Sequence, residues 1–387
     1  MTARTAVTRP YAPELDRFLL VVAGILLAGG LVMLTSASIS VAERTTGNPF
    51  FYLEKQLLAV ALGLLGLLIV TRIPTSIWER LGLLLAIGAV TLLTLVLIPG
   101  FGHTVNGSTR WLNIGGVNLI QVSEPARLLM LLYIADYAVR RREELRGNFQ
   151  GFLKPMLLVA LTCGLLLAEP DFGAAIVMLV ITLAVLFVAG ARLWHFLAFS
   201  LGISVTLTLL ALSSSYRLAR ITAFLDPWSD PFDSGFQLTQ SLIAIGTGQW
   251  FGLGLGESVQ KLFYLPEAHT DFVFAVIAEE FGLLGSVVVI ALFGALVWRA
   301  LGIARESAAR ERFFQAYVAF GFGVWQGFQA LVNIGVNMGI LPTKGLTLPL
   351  VSYGRSSLVI TLIGLGLLLR IDLENRNKRT PARRAVR

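Results

Sequence analysis

The chain has 387 residues, 56% of them hydrophobic and 14% charged, with a mean hydropathy of +0.76 and a formal net charge of +8. Soluble proteins carry about 25% charged residues, and a soluble helical core would show amphipathic stripes, whereas most apolar runs here are apolar all round. The lone cysteine, Cys163, excludes a disulfide framework.

In chain order, residues 1–16 form a tail that leads into the first apolar run, Phe18–Leu34. Arg4, Arg9 and Arg17 precede it, and Ser36-Ala37-Ser38 superficially resembles a cleavage site; the segment reads as an uncleaved signal anchor. Further runs follow at Leu57–Val70, Leu81–Leu97, Met156–Leu167, Ala174–Ala189 and Phe196–Leu212. Three more stand at Phe272–Val297, Val318–Val332 and Leu358–Leu369. A crossing takes roughly 20 residues, so the shorter runs borrow small or polar flanks. Connectivity and charge demand one further crossing in Leu119–Val139, although it carries Glu124, Arg127 and Asp136.

These runs predict an all-α polytopic membrane protein of about ten transmembrane helices. With the N-terminus inside, 22 of the 31 Lys and Arg fall on the inner side and 8 on the outer, with Arg127 inside a span. That bias follows the positive-inside rule and leaves both termini cytoplasmic. The expected domain plan is a tail at 1–16, one membrane domain at 17–371 and a basic tail at 372–387. The basic tail suits anionic lipid better than nucleic acid.

Between spans 7 and 8 lies a long outer segment, about 213–270. Loops of that length are usually functional. Gln237–Trp250 has helical character, and Trp228, Trp250, Phe251, Phe263 and Tyr264 suit a membrane interface.

Groups for chemistry are few. His103, His195 and His269 are far apart, so a histidine metal cluster is not expected. Asp271 stands where the outer segment enters an apolar helix. Two readings stand there: a half-desolvated carboxylate acting as a base, or a helix cap supplied by Thr270 or Asp271. Glu279 and Glu280 fall in the next two turns, where acids mark a polar cavity or an internal pair. Glu124 and Arg127, three apart, share a helix face, and a structural ion pair is favoured over direct catalysis. Asp171 at a tight turn favours capping. Pro342 to Ser357 brings Lys344, Arg355 and hydroxyls including Ser356 together, which suits either a pyrophosphate or an ordinary Pro/Gly loop. Gly252, Gly254 and Gly256 favour a tight turn over a phosphate cradle. Gly323-x-x-x-Gly327 and Gly335-x-x-x-Gly339 suit close helix packing.

Several ordered motifs together resemble the SEDS family (shape, elongation, division and sporulation proteins). They are Arg110-Trp111-Leu112-Asn113 with Gln121-Val122-Ser123-Glu124, and Glu169-Pro170-Asp171-Phe172-Gly173. Then come Tyr216-Arg217-Leu218-Ala219-Arg220, Gln240 to Gly246, Gly252 to Gly256, Leu265 to Glu280, and Leu341 to Ser357. The stretch Pro342 to Pro349 is similar to the division branch, the elongation branch differing around Lys344-Gly345.

The resemblance implies a peptidoglycan glycosyltransferase of the bacterial inner membrane, at the division septum, that polymerises lipid II at the outer face. It implies Asp271 as the base on the acceptor sugar's 4-hydroxyl. Lys344, Arg217, Arg220, Arg355 and Ser356 would serve the pyrophosphate, and Glu124, Arg127, Glu279 and Glu280 would support them. No cofactor is firmly implied, although a divalent cation such as Mg or Mn would suit pyrophosphate. Expected partners are lipid II, a class B penicillin-binding protein, other division proteins and membrane lipid, with no nucleic acid. A lipid-linked precursor flippase and a non-catalytic division scaffold are the competing readings. The sequence departs from the family pattern at Pro125, at Arg127 where Lys is usual, at Arg355 where Gly is usual, and at Phe263 where some members carry an acid.

Overall fold

The computed structural model describes residues 15–105, 108–114, 117–212, 226–229, 235–342 and 345–376. The first long helices are α1 (Arg17–Thr46), α2 (Phe51–Arg72), the short α3 (Thr75–Arg80) and α4 (Gly82–Leu97). The Asp16 carboxylate caps α1 by accepting from the Leu19 amide at 3.0 Å, and Gly47, at φ 72°, ends it in the left-handed conformation. Ile73 ends α2 because the residue before Pro74 is pushed out of helical geometry.

Next come three strands, β1 (Gly102–Val105), β2 (Ser108–Ile114) and β3 (Val117–Gln121), forming one antiparallel sheet in the order β1-β2-β3. The all-α expectation is corrected here, since this small sheet stands between the third and fourth long helices. It also moves the fourth long helix, α5, to Ser123–Arg140, because Leu119 and Ile120 belong to β3. Beyond it lie α6 (Arg142–Gly147), α7 (Phe149–Ala168), α8 (Phe172–Val188), α9 (Leu193–Leu212) and α10 (Phe236–Gly248). The chain finishes with α11 (Val273–Ala308), α12 (Phe313–Asn337) and α13 (Arg355–Arg376). The helix expected within the long segment near 237–250 is α10.

Helices α5 and α13 form the centre. Nearly all of α5 is buried, and α2 packs along α13 while α12 packs along α11. The periphery is apolar instead of charged: Leu58, Leu84, Leu157 and Val288 are more than half exposed. Such a surface suits hydrocarbon, not water. Five helices, α1, α2, α7, α11 and α13, are long and apolar enough to cross a membrane. The protein is a polytopic helical membrane protein. In lipid, helices associate through close packing and hydrogen bonds more than through water exclusion. Gly323 and Gly327 serve this: a Cβ there would meet Ala300 and Val297 of α11 at 3.0 and 2.9 Å. Gly339 does not extend the motif, since it follows α12 in a turn at φ 71°.

At the end of the bundle away from Asp271, charges knit the helices together. Arg299 bonds Asp16 and, at 2.9 Å, Asp372, and Glu374 accepts from the Thr75 amide at 3.0 Å. Asp16 and Asp372 are both buried.

Candidate functional site

The site is built on a broken helix. In α11 the backbone turns at Gly282, with φ 64° and ψ −158°, a conformation that a side chain disfavours. The break frees two amides, and the segment after α10 supplies their acceptors: Leu283 bonds Gln249 at 2.8 Å and Leu284 bonds Trp250 at 3.2 Å. Gly252, Gly254 and Gly256 take φ values of 79°, 113° and 90°, so they make tight turns. Glu279 accepts from Ser258 and from the amides of Val259 (3.0 Å) and Gln260 (3.4 Å), holding the start of the next turn. Glu280 is paired with Lys261 at 2.8 Å, and both contact Ser36 of α1.

Asp271 sits one residue before the N-cap of α11. Neither cap reading holds. Phe272 is the N-cap and makes no side-chain cap bond, while Thr270 donates to Glu267. The capping acceptor comes from another helix. Asn337 Oδ1 accepts from the Ala275 amide at 3.0 Å, and its Nδ2 donates to the Asp271 carbonyl at 3.0 Å. Asn333, one turn earlier, donates to the same carbonyl at 2.8 Å and to the Leu346 carbonyl at 2.6 Å. Two amides of α12 thus fasten the Asp271 loop and the 345–350 segment together. The Asp271 carboxylate accepts no hydrogen bond from a described residue. It lies against Gly345, where a Cβ would stand 3.0 Å from Oδ2. Burial, with help from the Glu267 charge, pushes its pKa up to about 7, against the pull of Arg110.

The 345–357 segment is held from several sides. Tyr353 donates its amide to the His269 carbonyl at 2.9 Å, and the His269, Tyr52 and Tyr353 rings cluster, with the tyrosine ring centres 4.6 and 5.8 Å from that of His269. Burial lowers the His269 pKa, so its ring is neutral there. Gln56 of α2 donates to the Ser352 carbonyl at 3.3 Å and accepts from the Gly354 amide at 3.4 Å. Ser356 Oγ accepts from the Gln121 amide at 2.9 Å, and the Arg355 guanidinium lies 5.7 Å from the Trp111 ring centre.

Arg110 joins the sheet to the turn after α7, donating to the Glu169 carbonyl at 3.3 Å and to that of Pro170. The Glu169 side chain is fully buried, and neither of its carboxylate oxygens has a hydrogen-bond partner among the described residues. Burial first, then the neighbouring Asp171, push it up to about 8, with Arg110 opposing. Asp171 caps α8 by accepting from the Ala174 amide at 3.2 Å.

Arg127 pairs with Glu124, donates to Gln329 at 3.1 Å, and lies 5.4 Å from the Trp325 ring centre. Gln329 in turn donates to the Thr347 carbonyl at 3.0 Å. The buried pair therefore buttresses the segment that faces Asp271.

Of the expected residues, Asp271 faces Gly345, Ser356 bonds Gln121 and Arg355 lies over Trp111, while the Glu124–Arg127 pair reaches the Thr347 carbonyl through Gln329. Glu279 and Glu280 lie about two turns into α11, ahead of the break at Gly282, and hold the 258–261 turn. Arg217, Arg220 and Lys344 lie outside the described residues. No group of three or more His, Cys, Asp or Glu able to hold a metal ion occurs among the described residues. Sequence reading missed Asn333, Asn337, Gln56 and Glu169. Polar amides within apolar helices were the signal for the first three, because such groups need partners in hydrocarbon.

A family model described as Cell cycle protein, covering FtsW, RodA and SpoVE, matches residues 16–377. The chain belongs to this family, the one its motifs resemble. A relative named "Probable peptidoglycan glycosyltransferase FtsW", from Thioalkalivibrio sulfidiphilus (strain HL-EbGR7), is 56% identical over 349 residues, 90% of this chain and 87% of the relative. A solved structure described as "Structural coordination of polymerization and crosslinking by a peptidoglycan synthase complex" shares 30% identity at a TM-score of 0.76, covering 94% of this chain and 99% of that one. The rod shape determining protein RodA of Thermus thermophilus shares 31% identity at a TM-score of 0.68, covering 96% of this chain and all of that one. Within the family the chain thus stands with the relatives named FtsW.

Proposed function

We propose that this chain is a peptidoglycan glycosyltransferase that polymerises lipid II at the outer face of the cytoplasmic membrane, with Asp271 as general base. The observation that carries the assignment of Asp271 is its carboxylate, recessed beside Gly345 and accepting no hydrogen bond from a described residue, with burial raising its pKa to about 7. A base whose pKa lies near the working pH transfers protons most effectively.

In this reading Asp271 takes the proton of the acceptor's 4-hydroxyl. The oxygen attacks the donor's anomeric carbon as the bond from that carbon to the lipid pyrophosphate breaks, and the configuration inverts. The departing pyrophosphate carries the negative charge away. Arg355, on the same 345–357 segment as the Gly345 that Asp271 faces, is a described cation assigned to stabilise it, with Lys344, Arg217 and Arg220 given the same role from sequence alone. The buried Glu124–Arg127 pair and the two α12 asparagines hold the reacting segments in register, which is where much of a transferase's rate originates.

Ten spans, with both termini cytoplasmic and Asp271 outside, belong to the same reading and rest on the Lys and Arg bias. A single-span class B transpeptidase is the expected partner, because a solved relative is described in a complex that coordinates polymerisation and crosslinking. The septum is the expected site of action.

The test is incubation of lipid II with the purified protein and its transpeptidase, in detergent and in vesicles. Glycan strands are the expected product. Movement of lipid II across the vesicle with no polymer would replace this reading with the flippase.

A further inference from the structure

A cavity of about 480 Å3 begins beside the Asp271 loop. It shares its walls with the clamp on Asp271. On α12, Asn337 holds the Asp271 carbonyl, and the next residue, Met338, lines the cavity. On α10, Ser241 donates to the Asn337 carbonyl at 2.8 Å, and Ile245, one turn further, lines the cavity. On α11, the Ala275 amide bonds Asn337, and Phe274 lines the cavity.

From there the cavity descends along α11. Phe274, Ala278 and Gly282 recur every four residues and so share a face, and the lining continues past the break to Ile290. At 1.5 Å per residue each half, 274–282 and 282–290, contributes roughly 12 Å. No charged residue lines it. The Ser286 hydroxyl is already used, donating to the Gly282 carbonyl at 3.0 Å. Its lip, Leu283, Val287 and Ile290, is about half exposed and apolar, so the cavity opens sideways into hydrocarbon.

We infer that this cavity holds the polyprenyl chain of the donor substrate. The inference rests on the transferase reading above and adds a subsite to it. A long apolar trough open to the bilayer excludes sugar and water and accepts a hydrocarbon chain. The donor is singled out over the acceptor by chemistry. The donor's reacting carbon bears the pyrophosphate directly, so its lipid must start within a few bonds of Asp271. Beyond the break at Gly282 the trough continues along the second half of α11.

The experiment compares polymerisation of lipid II carrying the full-length chain with that of an analogue carrying a short prenyl chain, using the full-length protein with its transpeptidase. Wild type should show a KM for the short-chain substrate about tenfold above that for the long-chain one, as loss of a few buried methylenes requires. Ala278→Phe fills the trough and Val287→Trp blocks its lip. In both, the ratio of the two KM values should fall toward one, because KM for the long chain rises. Val287 is exposed, so its variant folds even if Ala278→Phe does not. An unchanged ratio in the variants, or a wild-type ratio already near one, overturns the inference and leaves the cavity to phospholipid or a partner's span. Absence of polymer from wild type with either substrate fails the transferase reading instead.

Discussion

Asn337, the last residue of α12, donates its side-chain amide to the backbone carbonyl of Asp271 at 3.0 Å. Its carbonyl oxygen meanwhile accepts from Ala275, so one buried side chain both caps α11 and fixes the residue that precedes it. Asn337→Ala orphans these partners, which costs about 1–3 kcal/mol for each buried group left unbonded. We expect a lowered Tm and a fall in kcat greater than that expected from unfolding alone. Asn337→Asp keeps the acceptor for Ala275 but loses the donor to Asp271, and should recover stability ahead of activity. Thermal unfolding and polymerisation rates measured on the same preparations check this.

Two charges pull the Asp271 pKa in opposite directions, Glu267 raising it and Arg110 lowering it. A base works when deprotonated, so kcat/KM should climb as pH rises through about 7 and then level off. Arg110→Gln removes the lowering charge and should move that limb to higher pH. Glu267→Gln removes a raising charge and should move it to lower pH. Rates across the range from acid to mild alkali decide the matter. Shifts of the same sign in both variants would contradict the assignment.

The Lys261–Glu280 pair is buried on both sides and ties the turn at 258–264 to α1 through Ser36. Removing one partner of such a pair costs about 3–5 kcal/mol, whereas replacing both with apolar residues is often close to neutral. Lys261→Met should therefore destabilise far more than the double variant Lys261→Met/Glu280→Leu. Equal losses in the two, by unfolding in detergent, would show that the pair's own attraction is what matters.

Gly282 is the one α11 residue with positive φ, and a Cβ there would stand 2.5 Å from the Gly252 amide nitrogen and 2.6 Å from the Trp250 carbonyl carbon. Both neighbours are backbone and cannot swing aside. Gly282→Ala should detach the 249–254 segment from the broken helix, with a clear drop in Tm. Gly294→Ala on the same helix, where nothing lies within 4 Å, should be near neutral. Limited proteolysis at the 249–254 segment gives an independent reading.

The membrane class of the fold was legible because apolar runs and the placement of Lys and Arg are strong signals. Asp271 stood out as a charge at the edge of such a run, and α10 as a helical pattern within a long segment. The β1-β2-β3 sheet was missed because its strands are short and polar, although Asn106-Gly107 and Gly115-Gly116 between them are turn signals. Asn333 and Asn337 were hidden for a different reason. Their neighbours Gly335 and Gly339 suggested helix packing, and only the three-dimensional structure shows that these amides reach across to another helix. Arg110 was counted as a surface charge because its partner, the turn at Glu169-Pro170, lies far away in sequence.

The most direct test of Asp271 as the base is Asp271→Asn, which keeps the shape of the side chain and removes its proton affinity. Losing a general base costs about 10²–10⁴-fold in rate, so lipid II polymerisation should fall by that much with the substrate KM little changed. Stability should move the other way. A carboxylate whose pKa is raised from 3.8 to about 7 by folding makes the fold less stable as pH rises through that window. The neutral Asn variant should therefore show a higher Tm than wild type at pH 8 (about one unit above the Asp271 pKa). A folded, more stable and inactive variant is the predicted result; polymer formed at the wild-type rate by Asp271→Asn would contradict the mechanism.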